Sequence, residues 1–101
     1  MSLDQLRSFV AVVEEGTVVG AAGRLHISQP PLTRRIHALE AELGAPLFER
    51  VHRGMRPTAA GLALLPHARQ ILATVRAAER SVKDQLRPPE SVPERNRVQC
   101  P

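Results

Sequence analysis

Apolar side chains recur at helical spacing from the start of the chain. Leu3, Leu6, Phe9, Val10 and Val13 step by three and four, which predicts a buried stripe on a first helix. Ser2-Leu3-Asp4-Gln5 ahead of it reads as a capping box, its hydroxyl and amide satisfying free backbone N–H groups. Glu14-Glu15-Gly16 closes the helix, with Gly16 as the left-handed exit residue. Thr17 suits the N-cap of a short second helix over about residues 18–25, with Ala21, Ala22 and Leu25 facing inward. Gly20 and Gly23 each cost that helix about 1 kcal/mol relative to Ala, so packing has to hold it. A turn through His26-Ile27 leads to Ser28, a good N-cap, and Pro30 and Pro31 fall in the first helical turn, where a missing N–H is tolerated. The third helix runs to about Leu43 and stops at Gly44 and Pro46. At 100° per residue Leu32, Ile36, Leu39 and Leu43 lie within roughly 60° of one another, with Pro30, Thr33, Arg34 and His37 opposite.

The pattern changes over residues 47–58, LFERVHRGMRPT. Leu47-Phe48 anchors a segment in which Arg50, Arg53 and Arg56 recur every third residue, which reads as two short strands joined by a tight turn at Arg53-Gly54. Thr58 caps a fourth helix reaching about Arg87, roughly 45 Å long. Leu64, Ala68, Ile71, Val75, Ala78 and Val82 step 4, 3, 4, 3, 4 along it, a heptad stripe that predicts pairing with a second helix. Pro66 predicts a kink, or a division near residue 62. Residues 88–101, PPESVPERNRVQCP, hold four of the nine prolines and only Val92 and Val98 as aliphatics. Too little surface can be buried there to offset ordering entropy, so a disordered tail is expected.

Two short helices joined by a turn, the second amphipathic in this way, make a helix-turn-helix. With the arginine-rich hairpin the expected fold is mainly α: a winged helix-turn-helix with a three-helix core and a short β-hairpin wing, followed by a long helix. The second helix of such a pair can enter a DNA major groove N-terminus first. Arg34 can form a two-pronged bond to guanine O6 and N7, and Gln29 the same to adenine N6 and N7. The Thr33 methyl and the rings of Pro30 and Pro31 can meet thymine methyls. Ser28 and the free N–H groups at the helix start favour a phosphate. Arg53 at the wing tip can reach a narrow A·T minor groove, while Arg50 and Arg56 suit backbone phosphates. His37 is expected to stand near phosphate without reading a base.

The remaining composition narrows this picture. Lys+Arg 14 against Asp+Glu 10 leaves a formal charge of only +4, so affinity must come from locally placed arginines and from two half-sites. Two Phe, no Tyr and no Trp exclude an aromatic stacking platform for single strands or RNA. One cysteine, Cys100, excludes an internal disulfide and any Cys-based zinc site, and His52 and His67 have no metal spacing with an acid or cysteine. No cofactor or metal is expected. No apolar run approaches 18 residues and no signal-peptide stretch opens the chain, so no membrane span and a cytoplasmic, nucleoid-associated location are expected. There is no nucleophile-base-acid set and no glycine-rich phosphate loop, so the chain does not read as an enzyme.

The stretch GTVVGAAGRLHISQPPLTRRIHALEAELGAPLFER resembles the N-terminal region of LysR-type transcriptional regulators. The match runs from Ala21 through Arg50, and Thr58 and Gly61 fit the family's T-x-x-G at the start of its linker helix. The resemblance covers residues 1–87 and is highly specific. It implies a winged helix-turn-helix DNA-binding domain over 1–58, with the helix-turn-helix near 18–37 and the wing near 47–57. It further implies a linker and dimerisation helix over 59–87 that pairs antiparallel with a second copy. In the family, positions matching Gln29, Pro30, Pro31, Thr33 and Arg34 face the major groove and the position of Arg53 lies in the wing. Members bind double-stranded DNA at an interrupted dyad, as dimers or tetramers, to regulate transcription.

The sequence departs from the family pattern in places. A large aromatic is usual where Val18 stands, which implies looser packing between the first two helices. Polar or charged residues are usual at Gly20 and Gly23, and alanine is commoner than Pro31. The family continues into an effector-binding domain, and the proline-rich tail does not resemble its first strand. That domain, and with it a small-molecule site, is therefore expected to be absent from this chain, whether as a DNA-binding fragment or a natural truncation. An alternative reading follows: an interaction protein that forms mixed dimers with a full-length regulator through the linker helix.

Overall fold

Three of the four described helices begin where a side chain caps them. In the computed structural model, which describes residues 1–86, the order is α1 (Leu3–Glu15), α2 (Val18–Leu25), α3 (Gln29–Leu43), β1 (Phe48–Val51), β2 (Gly54–Pro57) and α4 (Ala59–Gln85). The tail expected over 88–101 lies outside the described residues. The capping box of α1 is complete: the Ser2 hydroxyl accepts from Gln5 N–H, and the Gln5 side chain accepts from Ser2 N–H. Thr17 and Thr58 cap α2 and α4 in the same manner, accepting from Gly20 and Gly61 N–H. At the other ends Gly16 (φ 77°) and Gly44 (φ 73°) turn the chain through the left-handed region. His26 does the same after α2 without being glycine (φ 58°), and the Ile27 N–H returns to Ala22 O.

Ser28 occupies the cap position of α3 but makes no side-chain cap bond. The reason is local. A capping oxygen accepts from the N–H of the second or third helical residue, and here both are prolines with no N–H to give.

The core lies where α1 meets the other elements. Leu6, Phe9, Val10, Ala11 and Val12 of α1 are buried together with Ala21, Ala22, Leu32, Ile36, Leu39, Leu47 and Phe48. The chain's two phenylalanines, Phe9 and Phe48, meet there with ring centroids 5.4 Å apart and planes tilted by 49°. Two leucines expected in buried stripes are not buried: Leu3 (39% exposed) and Leu43 (42%). They sit in the first turn of α1 and the last turn of α3, where the helices run past the core.

The wing also differs in detail from the expectation. β1 and β2 pair antiparallel with Val51 opposite Gly54, so the turn residues are His52 and Arg53. Arg53 takes the left-handed conformation (φ 70°), and Gly54 is not at positive φ. Gly54 is needed for another reason. A Cβ there would overlap the carbonyl oxygen of Gly16.

α4 is a single helix of 27 residues, about 40 Å long. Of the two outcomes expected of Pro66, a kink or a division, the division does not occur. A proline removes one backbone bond, and the turn around this one is held by Leu64, Leu65, Ala68 and Leu72, which pack on the core. Only the first half of α4 is used in this way. Among the six residues of the heptad stripe, Ala68 is fully buried in this chain's own core and Leu64 is half-buried against it, so Ala68 is not available to a partner. Ile71 (39%) and Val82 (61%) are exposed, Ala78 is exposed and Val75 half-buried. The packed helices and the hairpin form a winged helix-turn-helix, mainly helical, with α4 extending beyond it.

Candidate nucleic-acid interface

The outer face of α3 follows from its inner one. Leu32, Ile36 and Leu39 are buried, which turns the first two turns of the opposite side to solvent. Ser28, Gln29, Pro30, Arg34 and His37 are exposed, and Pro31 and Thr33 are half-buried. Two of the four N–H groups usually free at a helix start are absent, because Pro30 and Pro31 lack them. The amides left at that end are those of Ser28 and Gln29, fewer than the sequence argument assumed.

The strand register sorts the wing arginines. Side chains alternate along a strand, and directly paired residues share a face. Arg50 therefore lies on the same face as buried Phe48 and pairs with Met55, whereas Arg56 pairs with Glu49 on the other face. Arg50 is brought beside α3: with Thr33 and His37 it lines a cavity of about 150 Å³ that Val18 and Met55 also border. The cavity lies against Val18, where a smaller side chain stands than the family pattern favours. Arg56 is instead held by Glu49, with Nε 3.1 Å from Oε1 and Nη2 closer still. The even spacing of Arg50, Arg53 and Arg56 thus places one on the α3 side, one at the tip and one on the far face.

Ion pairing separates the arginines further. Asp4 holds Arg7, Glu14 and Glu15 hold Arg24, Glu49 holds Arg56, and Glu14 also holds Arg69. Arg35 donates to the buried Ser8 hydroxyl. Among the described residues Arg34, Arg50 and Arg53 meet no carboxylate and no other acceptor. These three cations stand exposed on α3 and the wing with no protein partner.

The framework behind this surface is tied by polar contacts. Glu40 of α3 accepts from Leu47 N–H at 2.7 Å, fixing the entry to β1. Met55 N–H donates to Gly16 O at 2.9 Å, joining β2 to the turn before α2. Thr58 closes the wing: its N–H donates to Leu47 O at 3.0 Å and its hydroxyl to Pro46 O at 2.7 Å. Gly61 must be glycine for a steric reason, since a Cβ would overlap Leu47 O. The T-x-x-G pattern is thereby a joint, one residue capping α4 and the other letting it lie against the wing. Glu14 links three helices, accepting from Arg24 of α2 at 2.7 Å and Arg69 of α4 at 3.1 Å. The hydrogen-bonded Arg24 guanidinium holds the Glu14 carboxyl below the usual carboxylate range, against a smaller opposing effect of burial and with help from Arg69. Sequence reasoning missed Gly54, Glu40 and Glu14, whose partners are remote in the chain.

Among the described residues no three His, Cys, Asp or Glu side chains group closely enough to hold a metal ion. No described helix is long and apolar enough to cross a membrane.

The family profile described as bacterial regulatory helix-turn-helix protein, lysR family, matches residues 3–62. The HTH-type transcriptional regulator ClcR of Pseudomonas putida is 60% identical over 72 residues, covering 71% of this chain and 24% of that protein. The HTH-type transcriptional regulator TfdT of Cupriavidus pinatubonensis is 56% identical over 80 residues, 79% of this chain and 35% of its own length. The chain thus spans only about a quarter to a third of the length of these two relatives. Among solved structures, a complex of the CbnR DNA-binding domain with DNA superposes with a TM-score of 0.77 at 48% identity, covering 86% of this chain and all of that one. A complex of the BenM DNA-binding domain with the catB site 1 DNA gives 0.81 at 41% identity, covering 87% and 99%.

Proposed function

Because the chain belongs to the LysR family of bacterial regulatory helix-turn-helix proteins, we propose that it binds double-stranded DNA sequence-specifically, as a dimer, in the regulation of transcription. The observation that carries this reading is the trio Arg34, Arg50 and Arg53, exposed and without an ion pair on α3 and the wing, while Arg24 and Arg56 are ion-paired and Arg35 is bonded to Ser8. Unsatisfied guanidinium groups on a rigid surface suit phosphate and base-edge acceptors.

In this reading the start of α3 enters the major groove. Arg34 reads guanine through O6 and N7, and Gln29 reads adenine. Thr33, Pro30 and Pro31 present methyl and ring surface to thymine methyls, and Ser28 bonds a phosphate. Arg50, beside Thr33 and His37, holds the backbone, and Arg53 reaches the adjoining minor groove. Arg56, engaged by Glu49, contributes less than its position in the sequence suggests. Pairing uses the part of the heptad stripe that this chain's core leaves open: Ile71, Val75, Ala78 and Val82, with Leu64 at its edge. Two such stripes pack antiparallel and set two reading heads apart on one face of the duplex. The protein works on the nucleoid, in the cytoplasm.

Selection from a random duplex library at two salt concentrations tests the proposal. The expected result is a dyad with fixed half-site spacing and a steep fall in affinity with salt. Arg34→Ala is expected to cost about 1–3 kcal/mol and to relax preference at one base pair. Arg53→Ala is expected to weaken preference for A·T flanks, and Arg56→Ala to change the salt slope less than Arg50→Ala does. Equal losses on every sequence from Arg34→Ala and Arg53→Ala contradict the assignment of roles.

A further inference from the structure

The hairpin is attached to the body on its outer edge. Met55 N–H points away from β1 and donates to Gly16 O at 2.9 Å, so the backbone of the α1–α2 turn serves β2 as a short third partner. Gly54 precedes that contact. A Cβ at this position would run into the same Gly16 oxygen and touch the Thr17 methyl, so the wing would have to back off by about 1 Å to reach ordinary contact. The obstacle is backbone, not a flexible side chain. Gly16 itself is held at φ 77° with its N–H bonded to Val12 O, so the acceptor has little freedom to move. Thr17, the next residue, caps α2 through Gly20 N–H, and α2 packs on α3. A continuous chain of contacts therefore runs from the wing, through the turn, to the helix pair.

Arg53 is the neighbour of Gly54 and sits at the tip. We infer that Gly54 is a positioning residue: by letting β2 lie directly on the Gly16 carbonyl, it holds the Arg53 guanidinium at a set separation from the exposed face of α3, so that both grooves are met by one pre-arranged surface. This inference rests on the proposed DNA-binding reading. The wing then does not search for the minor groove independently. A small retreat of β2 leaves the first turns of α3 where they are and misplaces the tip.

The test combines Gly54→Ala with Arg53→Ala in a double-mutant cycle, read as the ratio of affinities for A·T-flanked and G·C-flanked half-sites. Gly54→Ala is expected to lower that ratio to the level of Arg53→Ala and to leave preference inside the half-site unchanged. In the Arg53→Ala background it is expected to lower the ratio no further. Additive losses, or an equal loss on all sequences, overturn the inference. Amide exchange gives a second readout that needs no DNA. Met55 N–H is expected to be protected in the free wild-type protein and to lose protection in Gly54→Ala while the α3 amides of Ile36 and Leu39 keep theirs. An unprotected Met55 amide in the wild type overturns the inference even if the variant fails to fold. A wild type with protected Met55 but no sequence preference sinks the DNA-binding reading instead and leaves the wing attachment standing.

Discussion

Replacing Thr58 by valine isolates the joint between wing and long helix. Valine keeps the shape of threonine and removes only the hydroxyl, which here makes two hydrogen bonds: it accepts from Gly61 N–H at 3.2 Å and donates to Pro46 O at 2.7 Å. Loss of the cap costs about 1 kcal/mol. The bond to Pro46 contributes about another 1 kcal/mol, and water can replace part of it because that carbonyl is near the surface. Thr58→Val is therefore expected to destabilise the domain by about 2 kcal/mol, which for a folded unit of this size lowers the melting temperature by roughly 8–16 °C. Thr58→Ser retains the hydroxyl and is expected to stay within about 0.5 kcal/mol of the wild type. With no Trp and no Tyr in the chain, unfolding is best followed by circular dichroism at the helical band, at one fixed protein concentration because any self-association would shift the midpoint. A Thr58→Val variant that melts with the wild type refutes the claim that this hydroxyl stabilises the joint.

Four further outcomes follow from the packing and ion pairing. Gly23 lies inside α2 with open space where a Cβ would go, so Gly23→Ala is expected to stabilise the domain by up to about 1 kcal/mol in thermal unfolding. The Glu14 carboxyl is held below its ordinary value of 4.5 by Arg24 and Arg69, so its contribution to stability is present above that value and is lost as pH falls through the lower, folded one. Wild-type stability is thus expected to fall relative to Glu14→Gln on acidification below about pH 4.5, by a small amount because the pair is partly solvated; parallel pH curves count against it. Val82→Asp places a charge on the exposed end of the stripe and is expected to weaken self-association in sedimentation without lowering monomer stability. Ala68→Asp is expected to unfold the domain instead, since Ala68 is fully buried.

Local signals carried most of the architecture. Ser2, Thr17 and Thr58 announce helix starts, and Gly16 and Gly44 announce stops, because caps and left-handed exits involve residues three or four apart. What stayed hidden depends on partners remote in the chain. The periodicity of α4 cannot say that Ala68 and Leu72 belong to the chain's own core while Val82 does not; that is decided by how far α1 reaches along α4. Arg50 and Arg56, both suited to phosphate on spacing alone, look equivalent until the register pairs Glu49 with Arg56 and Arg50 with Met55. Moving the turn by one residue, from Arg53-Gly54 to His52-Arg53, reassigns faces along β2 and turns Gly54 from a bend residue into a point of close approach. The first turn of α3 was legible as exposed, yet the unbonded Ser28 follows only from setting two prolines against capping geometry.

That unbonded hydroxyl has a consequence for recognition. Ordinarily a serine at the head of a helix accepts an amide N–H of the first turn, which fixes its side-chain rotamer and leaves its O–H as the group still to be offered. Here the prolines fix the backbone torsions that the cap would otherwise stabilise, leaving the Ser28 oxygen in solvent with no internal bond to break. The leading turn of α3 is thereby preorganised by ring constraint instead of a side-chain hydrogen bond, and the Ser28 rotamer stays free to turn toward whatever docks there.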